Sequence, residues 1–371
     1  MGQVEIFFHA GMGKTGTSAL QAFLAENSEI LRTFGVLYPS AHRSMADGGA
    51  HHALALSMMK NRPAWAPVIS GASPEQILMD MYREARSLGL STIVVSSEIL
   101  YVIPPKAVRE LVERFRSKIV LYVRRQDTHV MSLVNQAIKA TGKYCDDTSV
   151  SHALMPRDQY LRKAVDWMEA FPTTDLVFRP YERQQFPSGD LIADFLSVLG
   201  VPKSTDFRET HEKVNQSLDR DSLEYMNLLN AVVNDLTFTR TIGALFVGCA
   251  PREQGGESHD WPLLSPAERL AVIERYADLN ATIARTYLGR KDGRLFHDPL
   301  PTASDEWRPY PGLSRERAKT ITVSLRQKNA TLVDELRARL RTPVQHFGIA
   351  ARQAMQVLIP AVEEVCRRTA A

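Results

Sequence analysis

The stretch that most constrains this chain stands near its start. A short apolar run, residues 4–9, empties into Gly11-Met12-Gly13-Lys14-Thr15-Gly16-Thr17-Ser18, and a helical pattern follows over residues 17–32. Leu20, Phe23, Leu24 and Leu31 fall on one side of that helix, the spacing of an amphipathic surface. A buried strand tied to a helix by small residues leaves few architectures open. Small side chains let backbone N–H groups converge on an anion, and the helix N-terminus adds partial positive charge. Lys14 adds a full charge, and Thr17 and Ser18 add hydroxyl donors. A lysine between glycines after a buried strand has little packing role, so the loop reads as a phosphate-binding turn.

Downstream the pattern alternates. Helices are expected at residues 76–88, 105–115, 128–140, 161–171 and 191–199, and apolar strands at 92–96, 119–123 and 175–178. Strands alternating with helices predict an α/β fold, a central parallel sheet with helices on both faces. Beyond Gly200 the chain is mainly helical, with patterns over 223–233 and 267–287. The expected division is a domain over 1–298 with its mainly helical part at 200–298, a proline-rich connector at 299–313, and a helical C-terminal extension over 314–371. In that extension Ser314 caps one long helix reaching about Arg341. Residues 40–74 are rich in Gly, Ser, His and Pro and read as a lid-like insertion with a helical piece near 52–60.

Composition narrows the function. With 371 residues, 44% hydrophobic and 23% charged, the chain can bury a core without disulfides or structural metal. A net charge of +3 is too mild for a nucleic-acid binder, though a local basic pocket fits an anionic ligand. Cys145, Cys249 and Cys366 lie too far apart for a disulfide framework or metal-ligand spacing, which suits a reducing compartment. The first residues lack a basic export signal, and no window approaches the ~20 apolar residues of a membrane span. Gly2 does not make a myristoylation signal, because Ile6 stands where Ser or Thr is needed. The expectation is a cytoplasmic protein with no transmembrane segment. Between residues 314 and 341, eight Lys/Arg stand against three Asp/Glu, beside a partial apolar stripe of Ile321, Leu325, Leu332, Leu336 and Leu340. Packing on the core is expected of it, since the stripe is too short for a coiled coil.

The Lys14 loop does not match the nucleotide-triphosphatase motif, whose first glycine would fall on Phe8, inside the strand. Neither of the strands at 92–96 and 119–123 ends in a magnesium-binding Asp. Lys14-Thr15-Gly16-Thr17-Ser18 instead resembles the 5′-phosphosulfate loop of sulfotransferases that use 3′-phosphoadenosine 5′-phosphosulfate (PAPS), a short strand followed by K-[ST]-G-T-[ST]. Those enzymes hold the donor's 3′-phosphate with an arginine at a strand end and a serine eight residues on. Arg124 and Ser132 have that spacing, and Arg125 is the competitor for register. Tyr181, in Val177-Phe178-Arg179-Pro180-Tyr181, resembles the strand end beside the adenine in bacterial members. Gly189-Asp190-Leu191, Val214-Asn215-Gln216-Ser217 and Gly293-Arg294-Leu295-Phe296 carry the likeness to about Pro299. The R-K-G and G-x-x-G-D-W-K elements of the animal cytosolic enzymes are missing, and Lys213 is a candidate to close that side of the 3′-phosphate site.

The resemblance implies a P-loop-type three-layer fold, PAPS as donor, 3′,5′-adenosine bisphosphate as product, and no required metal. Gly13, Lys14, Thr15, Gly16, Thr17, Ser18, Arg124, Ser132 and Tyr181 would bind the donor, with Lys14 also stabilising the leaving phosphate. The family's base follows the strand before the arginine strand, which puts Glu98 in that role here, as in the glycan-modifying branch. His51 and His52, in the lid-like insertion, are candidates to orient the acceptor or to act as base, and His9 reads as a packed residue beside the loop. The expected acceptor is a hydroxyl of a carbohydrate, glycolipid or secondary metabolite. A nucleotide-dependent kinase and a non-catalytic nucleotide-binding module are the rivals.

Overall fold

The computed structural model describes residues 4–45, 48–62, 71–142, 144–145, 159–209, 218–233, 235–246, 262–341 and 349–368. The chain opens with β1 (Glu5–His9), α1 (Thr17–Glu26), α2 (Ser28–Thr33), β2 (Val36–Leu37), α3 (His52–Ser57), α4 (Pro74–Ser87) and β3 (Thr92–Ser96). Next come α5 (Pro105–Val112), β4 (Arg116–Val123), α6 (Gln126–Thr141), α7 (Gln159–Ala170), β5 (Leu176–Pro180) and α8 (Leu191–Val198). The remainder is helical: α9 (Arg220–Val232), α10 (Leu236–Leu245), α11 (Pro266–Glu274), α12 (Ala277–Leu288), α13 (Arg315–Lys328), α14 (Ala330–Leu340) and α15 (Ile349–Arg368). Among the described residues no helix is long and apolar enough to cross a membrane.

Two compact units form. The first comprises Met1–Gln126, Arg157–Val214 and Ile273–Pro299 and holds a five-stranded sheet in the order β2-β3-β1-β4-β5. Every strand pair is parallel, with Glu5 opposite both Thr92 and Arg116, and Val123 opposite Pro180. Side-chain alternation builds the layers. Ile6, Phe8, Ile93, Val95, Ile119 and Leu121 join one core with Leu78 of α4, Val108 of α5 and Trp167 of α7. Phe7, Val94, Val120 and Tyr122 point the other way, into a core with Leu20 and Phe23 of α1 and Phe195 of α8. The sheet is therefore covered on both faces, the α/β arrangement that alternating strands and helices require. Each fully buried Leu, Ile or Phe in these layers contributes about 1.5–3 kcal/mol.

A buried polar tie fixes α8 to the sheet. Asp194 is fully buried, and its carboxylate accepts from Tyr122 Oη at 2.7 Å and Arg179 Nε at 3.0 Å. Tyr122 and Arg179 are opposite one another across β4 and β5, so one carboxylate joins two strands. Burial and the adjoining Asp194 carboxylate raise the Tyr122 phenol above its ordinary range.

The second unit comprises Asp127–Pro156, Asn215–Val272 and Leu300–Ala371. Val134 and Ile138 of α6, Leu223 and Leu229 of α9, Leu325 of α13, Leu336 of α14 and Leu358 of α15 share its core. This differs from the expected boundaries at 298 and 313. The C-terminal helices and the helices after Gly200 bury each other's stripes, so α13, α14 and α15 share one core with α9 and α10. The basic residues there are largely paired within the unit: Arg317 with Asp221, Arg326 with Asp334, Arg337 and Arg341 with Glu363, and Arg339 with Asp235.

Several expected helices are split. The pattern over 17–32 breaks at Asn27, whose side-chain oxygen accepts from Arg208 N at 2.7 Å and whose amide donates to Arg208 O at 3.1 Å. The 314–341 helix breaks at Asn329, which caps α14 by accepting from Leu332 N at 3.0 Å. The 267–287 helix becomes α11 and α12, with Tyr276 buried between them. Truncating the buried tie tests the packing argument. Asp194→Ala should lower unfolding free energy by about 3 kcal/mol, because Tyr122 and Arg179 lose their shared acceptor. The urea unfolding midpoint reads this directly.

Candidate functional site

The strand order sets where chemistry can gather. β1 lies between β3 and β4, so the chain leaves the sheet on opposite sides of β1. In open parallel sheets such a reversal opens a crevice at the carboxyl ends. The segments leaving β1, β3, β4 and β5 at that edge carry the Lys14 loop, Glu98, Arg124 and Tyr181, respectively.

The loop after β1 is built by its small residues. Gly16 has φ +75° and caps α1 without any side-chain cap, and the first turn of α1 carries no acidic residue. The free N–H groups of that turn thus face an anion-compatible end. A Cβ on Gly16 would meet Leu191 Cδ2 at 2.4 Å and Tyr181 Cε2 at 3.1 Å. Lys14, at φ +71°, is a non-glycine residue held in the left-handed region. The Thr15 hydroxyl donates to Met12 O at 2.6 Å and is fully buried, so it closes the loop instead of facing a ligand. Thr17 Oγ1 is buried with no hydrogen-bond partner, a donor of the kind an incoming phosphate oxygen would satisfy. A Cβ on Gly11 would fall 2.3 Å from that oxygen, which is why glycine stands there. Gly13 is exposed with open space where a Cβ would be, and Ser18 is half-buried.

Arg124 joins β4 to this loop. Its Nη1 donates to Lys14 O at 2.9 Å, and its guanidinium lies 5.6 Å from the centre of the Tyr181 ring. Tyr181 in turn packs on Gly16, so Lys14, Gly16, Arg124 and Tyr181 form one group. Arg125 is committed elsewhere: it is buried, and its Nη1 donates to Asp298 O at 3.2 Å and Pro299 O at 2.9 Å. Ser132 is buried on α6 within the second unit, so its pairing with Arg124 rests on sequence spacing. Lys213 and Val214-Asn215-Gln216-Ser217 lie outside the described residues.

Glu98 opens a short turn, Glu98–Val102, directly after β3. Its Oε2 accepts from Gln21 Nε2 at 3.1 Å, and Gln21 sits one turn beyond Thr17 on α1. Its Oε1 lies 4.0 Å from His52 Nε2. His51 and His52, expected in a lid-like insertion, are buried instead. The reason is that α3 carries Leu54, Ala55 and Leu56 into the core, and the His51 amide donates to Ser96 O at 2.9 Å. His51 Nε2 donates to Pro39 O at 3.0 Å and its Nδ1 accepts from Ser96 N at 3.4 Å, so both ring nitrogens have protein partners. His9 packs as expected, its Nδ1 2.9 Å from Ser96 Oγ. Burial pushes the His9 imidazole down to about 3 and the His51 imidazole down to about 4.

Gln21 and Ser97 are the members that sequence reading missed. The helical period placed Gln21 four residues after Thr17, a signal that was available; nothing in the sequence marked Ser97. Two surface hollows of about 390 and 430 Å³ lie elsewhere, one at the amino ends of β1 and β4 beside Glu5 and Arg116, the other between α4 and α5 beside Met79 and Leu111. Neither contains the loop, Arg124 or Glu98. Among the described residues no group of three or more His, Cys, Asp or Glu side chains is placed to hold a metal ion.

No family model matches the chain. No solved structure matches it either. An uncharacterized protein of Archaeoglobus fulgidus is 30% identical over 176 residues, which cover 47% of this chain and 47% of that protein. The chain thus spans about half the length of the curated relative it matches.

Two outcomes follow from the geometry. Gly16→Ala should cost about 1–3 kcal/mol in unfolding free energy through its positive φ and its contact with Leu191, and should remove any stabilisation that an added anion confers. Anion-dependent thermal stabilisation measures both. The buried histidines set the acid response: the unfolded chain takes up protons near 6.5, whereas folded His9 and His51 do so only near 3 and 4. Their contribution is therefore constant above about pH 7 and is lost as pH falls below about 6.5. Urea unfolding at pH 5 should give a free energy lower than at pH 7 by roughly 1–2 kcal/mol per imidazole.

Proposed function

We propose that the protein is a sulfotransferase with a P-loop-type donor site, moving a sulfuryl group from PAPS to an acceptor hydroxyl. The observation that carries this reading is the hydrogen bond from Arg124 Nη1 to the carbonyl of Lys14. It gathers into one group the two elements by which the chain resembles that family, and Tyr181 covers both. The orphan Thr17 hydroxyl and the uncapped N-terminus of α1 suit a phosphate oxygen, and so support the same reading.

Each residue then has a task. Lys14 and the N–H groups of α1 hold the 5′ end of the donor, and Arg124 the 3′ side. Gly13 leaves the approach open, Gly16 allows the turn, and Ser18 offers a further hydroxyl. When bound, the donor supplies the sulfuryl group and an adenosine bisphosphate leaving group. The Lys14 ammonium balances the charge that grows on the leaving phosphate, an electrostatic role. Glu98, held by Gln21 and open to solvent on one side, takes the acceptor's proton. A carbohydrate, glycolipid or secondary-metabolite hydroxyl is the acceptor class proposed.

Calorimetry separates this from the kinase reading. The protein should bind 3′,5′-adenosine bisphosphate without magnesium and more tightly than ATP with magnesium; preference for ATP would refute the proposal. In PAPS turnover, Lys14→Ala should lower the rate by about 10²–10³-fold. Glu98→Gln should lower it by about 10²-fold or more with bisphosphate affinity unchanged.

A further inference from the structure

The Glu98 side chain has a neighbour with no part in the mechanism so far. His52 is held on three sides. Its Nδ1 is 2.8 Å from Ser97 Oγ, its own helix α3 is anchored in the core, and the preceding residue is tied by main chain to the end of β3. Its Nε2 is left 4.0 Å from Glu98 Oε1. That separation is too long for a hydrogen bond. It is the span that one oxygen atom bridges when it lies about 2.8 Å from each end.

The Ser97 hydroxyl can set the direction of the pair. Ser97 Oγ already accepts from Ile99 N at 3.2 Å. When Ser97 Oγ–H donates to His52 Nδ1, the hydrogen of a neutral imidazole is on Nε2, facing Glu98. The other carboxylate oxygen is engaged by Gln21, so Oε1 is the one that receives a proton.

We propose that His52 and Glu98 form a two-point clamp for the acceptor hydroxyl: the oxygen accepts from His52 Nε2–H and donates to Glu98 Oε1. This rests on the sulfotransferase reading and narrows its substrate. A hydroxyl can accept and donate at once, whereas an ammonium has only donors, so the clamp selects alcohols over protonated amines. In the transfer, the hydroxyl proton moves to Glu98 Oε1 as the oxygen bonds to sulfur. The bond from sulfur to the donor's 5′-phosphate oxygen breaks, giving a sulfate ester and the bisphosphate. The remaining lone pair of the oxygen, with His52 engaged, is the one aimed at sulfur.

Water is the simplest such hydroxyl and serves as a probe, since hydrolysis of PAPS gives sulfate and 3′,5′-adenosine bisphosphate without a known acceptor. His52→Ala should slow this hydrolysis at least tenfold, and His52→Gln, which keeps an N–H donor, should slow it less. Bisphosphate affinity by calorimetry should stay within about twofold in both, which also reports that the variants fold. Nitrogen-15 spectra of the free protein near pH 8, with the His52 signal assigned by its absence in His52→Gln, should show the Nε2-protonated tautomer. Ser97→Ala should lose that preference. Unchanged hydrolysis in His52→Ala, a parallel fall in bisphosphate affinity, or an Nδ1-protonated ring would each overturn the clamp. If the wild-type protein neither binds the bisphosphate nor cleaves PAPS, the sulfotransferase reading falls, and the tautomer still decides the clamp geometry.

Discussion

Everything at the candidate site depends on the parallel register of β1 between β3 and β4. Because His9 is level with Ser96 on one side and with Val120 on the other, three consecutive exits from the sheet open at one edge. Each exit is then a short segment whose first residues are positioned by strand hydrogen bonds rather than by loop packing. The Ser97 amide donating to His9 O at 3.1 Å, and the Ala10 amide to Val120 O at 3.2 Å, continue the ladder past the strand ends. A carboxylate, a guanidinium and a glycine-rich turn can therefore share one edge without any long loop to order, which limits the conformational entropy such a site would cost.

The same edge concentrates buried polar groups. His9, His51, Ser96, Ser97 and Gln21 are all nearly or fully excluded from water. Most are satisfied in pairs, as His9 with Ser96 and His51 with the Pro39 carbonyl. The exceptions are His9 Nε2 and Thr17 Oγ1, both without partners. An unpaired buried hydroxyl costs about 1–3 kcal/mol. At Thr17 that cost falls beside a helix N-terminus, where a bound anion would recover it.

The sheet was legible because strands buried on both faces read as continuous apolar runs; residues 92–96 and 119–123 coincide with β3 and nearly all of the apolar end of β4. The two-residue β2 carries no such run and was not foreseen. Helix breaks at Asn27 and Asn329 were hidden because the amphipathic pattern continues across them, while the Asn27 bonds to the Arg208 backbone and the Asn329 cap are contacts that sequence period does not encode. The burial of His51 and His52, in the segment read as a lid-like insertion at residues 40–74, was hidden for a related reason. Composition rich in Gly, Ser and Pro marks irregular backbone, but the tie from His51 to Ser96 draws that backbone inward. In the candidate site, spacing alone favoured Arg124 over Arg125; the structure bonds Arg125 to the Asp298 and Pro299 carbonyls and Arg124 to the Lys14 carbonyl, contacts that spacing does not encode.

We propose that the Lys14 loop holds the 5′ end of one nucleotide while Arg124, bonded to that loop, takes its 3′-phosphate. The most direct test compares the affinities of 3′,5′-adenosine bisphosphate and adenosine 5′-monophosphate in the wild-type protein and in Arg124→Ala. At least a tenfold preference for the bisphosphate is expected in the wild type, a difference of about 1.4 kcal/mol, and its near-disappearance in the variant, where loss of the Arg124 bond to Lys14 O also weakens the monophosphate. Equal affinity for the two nucleotides in the wild type, or a preference that survives loss of the guanidinium, would contradict it.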